Sequence, residues 1–189
     1  FVFNKNKSAN NLTLFGNIEI RQVDLSFQVA GKVEKLFKEE GDTVKANELI
    51  ALIDSRDYEA NYNKATANVA QTLAMKNEAE SKFERQAPLM DDNTISKQDY
   101  DTLSNTKDRT KADYEAAVAN KTLAKNQLEY TKLYAPEDGI IMIRIQEPGA
   151  TVAKGQPIYT MAKTKPVWVR AYVNETDLGN IKYGQGVKV

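Results

Sequence analysis

The densest acid pair in this chain, Asp91-Asp92, is the first place to look for chemistry, because adjacent carboxylates could hold a metal ion. Nothing accompanies it. The chain has no histidine and no cysteine, which removes the commonest general base, the commonest metal ligand and every thiolate site. Followed by Asn93, the pair reads as a solvated turn. Lys+Arg and Asp+Glu balance at 26 each, so no net field favours nucleic acid or an anionic membrane surface. No catalytic residue, metal or cofactor is expected, and the function is expected to be non-enzymatic. The missing cysteines exclude a disulfide framework, yet suit periplasm and cytoplasm alike.

The acid pair sits near the middle of a tract that must position it. No glycine occurs from Asp42 to Asp138, and between residues 55 and 132 the only proline is Pro88. Glycine costs about 1 kcal/mol and proline about 3 in a helix interior, so a tract without them is free to be helical. Pro88 and the polar run after it divide the tract into two arms, which predicts a helical hairpin. Seven-residue spacing gives Tyr62, Val69, Phe83 and Met90 on the first arm, with Lys76 intruding, beside Tyr58, Ala65, Thr72, Ala79 and Gln86. The second arm gives Leu103, Thr110, Ala117, Ala124 and Thr131 beside Tyr100, Tyr114 and Leu128. This is the narrow seam of an antiparallel two-helix coil.

On either side of the tract lie two related β segments. A shift of 108 positions places Gly31 on Gly139, Gly41 on Gly149, Thr43 on Thr151, Val44 on Val152 and Ile50 on Ile158 without a gap. Turn glycines and apolar positions that stay in register imply two similar β units, each too short to close a core alone. They are expected to pack face to face as a small sandwich, with the glycines serving turns of positive φ. Upstream, Leu12–Ile20 and Arg21–Phe27 read as two extended pieces, with Val23, Leu25 and Phe27 on one face. Downstream, Ala162–Pro166 reads as a link and Val167–Val173 as a strand. A short helix over Glu175–Ile181, a turn at Tyr183–Gly186 and a strand beginning at Val187 follow. No window approaches the apolar length of a membrane span. The opening Phe1-Val2-Phe3 reads either as the stub of an anchor or signal segment or as an arbitrary boundary.

The order half-motif, helical hairpin, half-motif, β domain resembles the periplasmic adaptor or membrane fusion proteins, the HlyD-like and MacA-like subunits of tripartite efflux and secretion systems. The resemblance rests on F-Q-V-A-G-K-V and E-E-G-D-T-V within Phe27–Val44, L-Y-A-P-E-D-G (Leu133–Gly139) and E-P-G-A-T-V-A-K-G-Q-P-I (Glu147–Ile158). V-W-V-R-A-Y-V-N-E-T-D-L (Val167–Leu178) is similar to the start of the family's β-barrel. It implies an α+β chain: a lipoyl/biotinyl-like β-sandwich split by a long antiparallel α-helical coiled-coil hairpin, plus a partial β-barrel domain. Residues 1–26 would be a linker and strands of the base, 27–54 and 133–162 the sandwich halves, 55–132 the hairpin with its tip at about 88–96, and 163–189 an incomplete barrel. It further implies a periplasmic body anchored to the inner membrane of a Gram-negative bacterium through a segment absent from this chain. The partners implied are further copies in a ring, often of six, a TolC-like outer-membrane channel and an inner-membrane pump. The hairpin length and tip spacing lean toward an ABC-type pump over an RND-type one.

At the tip, Arg85, Leu89 and Ser96 keep the Arg-x-x-x-Leu-x6-Ser spacing that in this family resembles the signature for docking on a TolC-like channel. Arg85 and Leu89, four apart, would share a helix face, the guanidinium gripping carbonyls or carboxylates and the leucine filling an apolar slot. Ser96 with Asp99 also reads as a helix N-cap, which needs no partner. Pro88 crowds the carbonyl of Glu84 and predicts a kink between Arg85 and Leu89. Two rival classes exist. The sandwich halves also resemble biotinyl and lipoyl carrier domains, and Ala74-Met75-Lys76-Asn77 resembles a biotin acceptor, but Lys76 lies at seam spacing inside a helix. A purely structural coiled-coil spacer is the other.

Overall fold

The computed structural model describes residues 14–90 and 95–186. The acid pair Asp91-Asp92, Leu12, Phe1–Lys7 and the strand expected at Val187–Val189 lie outside the described residues. In chain order come strands β1 (Phe15–Ser26), β2 (Gly31–Leu36), β3 (Thr43–Val44) and β4 (Leu49–Ile53). Helix α1 (Arg56–Gln86), a 3-10 turn (Ala87–Met90) and helix α2 (Lys97–Glu129) follow. Strands β5 (Lys132–Tyr134), β6 (Gly139–Arg144), β7 (Thr151–Val152) and β8 (Pro157–Tyr172) and a 3-10 turn (Glu175–Asn180) complete the described chain.

The repeat visible in the sequence is a two-fold in the structure. Gly41 N–H donates to the carbonyl of Ile141 at 2.8 Å, and 108 positions on, Gly149 N–H donates to the carbonyl of Val33 at 2.8 Å. The same relation links Val33→Ala150 with Ile141→Asp42, and Asn47→Ala135 with Gly155→Phe27. Each bond in the last two pairs crosses from one half to the other, so the halves do not simply lie face to face. They exchange edge strands: one sheet runs β1-β8-β6-β3 and the other β5-β4-β2-β7. The exchange needs a sharp reversal before β3 and before β7. Gly41 and Gly149 supply it at φ +90° and +95°, where a Cβ is strained. Gly139 serves differently from the turn role expected of it: a Cβ there would sit 2.7 Å from the Ala162 carbonyl and 2.8 Å from the Met161 sulfur.

The core lies between the sheets and draws on both halves: Phe27, Val33, Ile50 and Ile53 from one, Ile141, Val152, Ile158 and Met161 from the other, all essentially without solvent exposure. Each such side chain contributes about 1.5–3 kcal/mol on burial. Tyr159 joins them with its hydroxyl donating to the carbonyl of Lys38 at 2.9 Å, and burial pushes its phenol up from the ordinary value.

Three sequence expectations change here. The upstream pieces are one strand: β1 runs through both, with a register irregularity between Ile20 and Gln22, and its end carries buried Leu25 into the sandwich. The stretch read as a link, Ala162–Pro166, lies within β8 as an irregular passage: β1 pairs with its flanks, Ile20 with Val167 and Gln22 with Ala162, while Lys163 pairs with Gly139 of β6. The far halves of β1 and β8 form a two-stranded ribbon with both faces exposed: Ile18, Val167, Trp168 and Val169 are all half or more in solvent. In place of the short helix expected over Glu175–Ile181 stands the 3-10 turn Glu175–Asn180.

Candidate docking site at the far end of the helix pair

Helix α1 leaves the sandwich after Asp54 and α2 returns to β5. The two pack chiefly on each other. They are antiparallel: Tyr62 near the root of α1 meets Lys121 of α2, while Phe83 near its end meets Tyr100 in a tilted ring contact, centroids 5.7 Å apart. The less exposed positions of α1 follow both predicted rows, and Ala117 and Ala124 are the buried residues of α2. Lys76 does not disrupt this seam. Its ammonium pairs with Glu80 at 2.9 Å and lies 5.9 Å from the Tyr114 ring. Lys107 and Lys121 repeat the device over Phe83 and Tyr62, at 4.1 and 5.7 Å. Lysine stems cover apolar surface while their heads reach an aromatic face, which suits a seam this thin. Both lysines fall in the row of Tyr100, Tyr114 and Leu128, so heptad spacing would have found them.

At the root, the Arg56 guanidinium forks onto Asp54, with Nη2 to Oδ2 at 2.5 Å and Nε to Oδ1 at 2.9 Å. That hydrogen bonding holds the Asp54 carboxyl down at about 2 from an ordinary 3.8. Ser55, the residue before α1, donates to Glu59 instead of capping the helix. Lys38 similarly holds Glu48 below its ordinary value through a hydrogen bond at the base of the sandwich.

At the far end, α1 stops at Gln86 and tightens into the 3-10 turn containing Pro88. Pro88 has no N–H to continue the α-helical ladder, so the interruption predicted between Arg85 and Leu89 takes this form. Arg85 is exposed on the last turn and makes no ion pair among the described residues; Leu89 follows on the 3-10 turn at 36% exposure. Ser96 is the N-cap of α2. Its Oγ accepts from Asp99 N–H at 3.1 Å and donates to the Asp99 carboxylate at 2.7 Å. All three side chains are thus presented around one end of the pair. Thirty-one residues at 1.5 Å each set that end ~45 Å from the sandwich. Among the described residues no acid cluster could hold a metal ion, and no helix is long and apolar enough to cross a membrane.

Residues 21–164 match the family model described as RND MFP, barrel-sandwich hybrid domain. Among solved structures, the chain is 28% identical to a MacA–MexA chimeric protein containing the Pseudomonas aeruginosa MexA α-hairpin domain, with a TM-score of 0.53. That match covers 90% of this chain and 60% of the chimera, so the chain spans less than two thirds of it. The fold is shared with the membrane fusion protein Spr0693 from Streptococcus pneumoniae R6 (16% identity, TM-score 0.69, 90% of this chain and 72% of that one). It is also shared with the periplasmic adaptor protein EmrA (17% identity, TM-score 0.58, 91% and 82%). Residues 21–164 make up three quarters of a sequence in which the two-fold sandwich and inserted helix pair are now placed residue by residue. The chain belongs to the membrane fusion proteins, the periplasmic adaptors of efflux systems, and contributes their barrel-sandwich hybrid domain.

Proposed function

We propose that this chain joins an inner-membrane transporter to a TolC-like outer-membrane channel, and that the end of the helix pair carrying Arg85, Leu89 and Ser96 docks on the channel. The observation that carries the reading is the exposure of Arg85 and Leu89 at the one end of a ~45 Å rod that the sandwich does not occupy. A guanidinium without an ion pair among the described residues and a partly exposed leucine are the residue types that anchor interfaces. In this reading the helix pair is the family's coiled-coil hairpin, and several copies, six by family analogy, pack into a ring. The body stands in the periplasm of a Gram-negative cell and is tied to the inner membrane. The outer parts of β1 and β8 belong to a β-barrel domain, in keeping with the exposed Ile18, Val167 and Val169 of their ribbon. The sandwich halves span 27–54 and 133–162 and the hairpin 55–132. The protein performs no chemistry; it seals a conduit and passes on the motions of the pump.

The length of the helix pair and the tip spacing favour an ABC-type transporter. An RND-type pump is the second reading, supported by the name of the matching family model. Affinity capture of the complete protein from crosslinked cells separates the two by the class of transporter recovered. A carrier role is the weaker alternative, since Lys76 is ion-paired and half-buried in the seam. Mass spectrometry after co-expression with a biotin or lipoyl ligase tests it, and an adduct on Lys76 would establish it. For docking, Arg85→Asp combined with Leu89→Ser in the complete protein is expected to abolish export at normal protein level. Export that persisted unchanged would remove the docking role.

A further inference from the structure

We infer that Tyr58 is the joint that fixes the direction of the helix pair relative to the sandwich, through the hydrogen bond from its hydroxyl to the carbonyl of Ala30. Tyr58 lies in the first turn of α1, and it is the helical residue that packs against the sandwich core. Its Oη donates to the Ala30 carbonyl at 2.8 Å. The backbone ties at the root precede the helix: Asp54 N–H to the Lys32 carbonyl, and Ile53 N–H to the Thr131 carbonyl. Such bonds hold the residues that lead into α1 but do not reach the helix itself. Tyr58 belongs to the helix and is bonded to the sandwich, so it couples the direction of α1 to the sheet.

The acceptor matters as much as the donor. Ala30 leads directly into β2, where Gly31 pairs with Val152 and Lys32 with Thr151 across the two halves. A tilt of the helix pair thus pulls on the seam between the exchanged strands, and a distortion there turns the rod. The lever is long: a tilt of about 10° moves the far end by ~8 Å over a rod of this length. One contact at the root consequently sets where the far end points. This holds for the chain itself, whether or not the far end docks on a channel.

The absence of cysteine makes the test direct. Spin labels on Cys introduced at Lys154, exposed in a sandwich turn, and Lys82, exposed on α1, report the angle as a distance by double electron–electron resonance. With Tyr58 intact one narrow distribution is expected. Tyr58→Phe keeps the ring in the core and deletes only the hydroxyl. It should raise the population outside the main peak roughly fivefold, the size set by one net hydrogen bond, with circular dichroism unchanged. Tyr62→Phe, one turn further along the same helix, should leave the distribution as it was. A distribution unchanged by Tyr58→Phe would overturn the inference, as would equal broadening by Tyr62→Phe. A role in stability alone would lower the melting temperature of Tyr58→Phe without widening the distance peak, and that result also counts against the joint.

Discussion

The ammonium of Lys107 lies 4.1 Å from the centre of the Phe83 ring, across the helix pair and next to the tilted Phe83–Tyr100 contact. A charged residue therefore takes a seam position that a leucine would fill in a conventional two-helix coil. It succeeds because the ring face is electron-rich and the ammonium keeps part of its hydration. The pair is the tightest of three such contacts, and it lies toward the end of the rod where an α-helical ladder gives way to a 3-10 turn.

Phe83→Leu should destabilise the helix pair more than Lys107→Gln does, since it removes the cation–π contact and the tilted aromatic contact together. The expected losses are about 1–2 kcal/mol and about 0.5–1 kcal/mol. Urea unfolding followed by helical circular dichroism measures both. In the double variant the losses should fall short of additive, because the two residues share one contact.

Symmetry between the halves predicts matched responses. Gly41→Ala and Gly149→Ala place a Cβ at φ +90° and +95°, and each should cost about 1–2 kcal/mol. Gly155→Asn should be tolerated within about 0.5 kcal/mol, because Asn47 already occupies the related position at φ +63°. Thermal denaturation of the three variants checks this. Unequal losses at Gly41 and Gly149 would show that the two turns are not energetically equivalent.

The cap of α2 and the docking role of Ser96 can be separated. Ser96→Ala loses an acceptor for the Asp99 N–H and should cost about 1 kcal/mol. Ser96→Asp keeps an acceptor and should retain most of the stability, while deleting the hydroxyl donor and adding charge beside Asp99. If Ser96 also contacts a channel, export by the complete protein falls in Ser96→Asp although its melting temperature holds. Normal export in that variant would leave Ser96 as a cap alone.

Acid should loosen the root of the helix pair. Asp54 has its carboxyl at about 2 when folded against an ordinary 3.8, so the proton binds the unfolded chain more readily. The Arg56 contact therefore adds stability above about pH 3.8, and that addition is lost as pH falls toward 2. Asp54→Asn should accordingly melt below the parent chain at neutral pH, with the gap closing over this window. Because the carboxyl is solvent-accessible, the gap should also narrow in high salt.

Much of this architecture is written locally in the chain. The 108-position repeat, the glycine-free tract, the seven-residue rows and the Ser96–Asp99 cap depend on residue types at short spacing, and each recurs in the structure at its expected place. The tip residues are less legible, since a helix face four residues wide does not survive a change to 3-10 geometry after Gln86.

What the sequence by itself determined was therefore the set of elements and their periodicity: two β units in register, two helical arms and the seam between them. Only the tertiary structure decided which strand pairs with which, that the halves exchange β3 and β7, and that β1 and β8 run on together past the sandwich. It also decided that Lys76, Lys107 and Lys121 belong in the seam and that Tyr58 reaches Ala30. The physical reason is separation. Turn chemistry and amphipathic period act over a few residues, whereas a bond such as Gly41 to Ile141 exists only once a hundred intervening positions have brought two distant strands together.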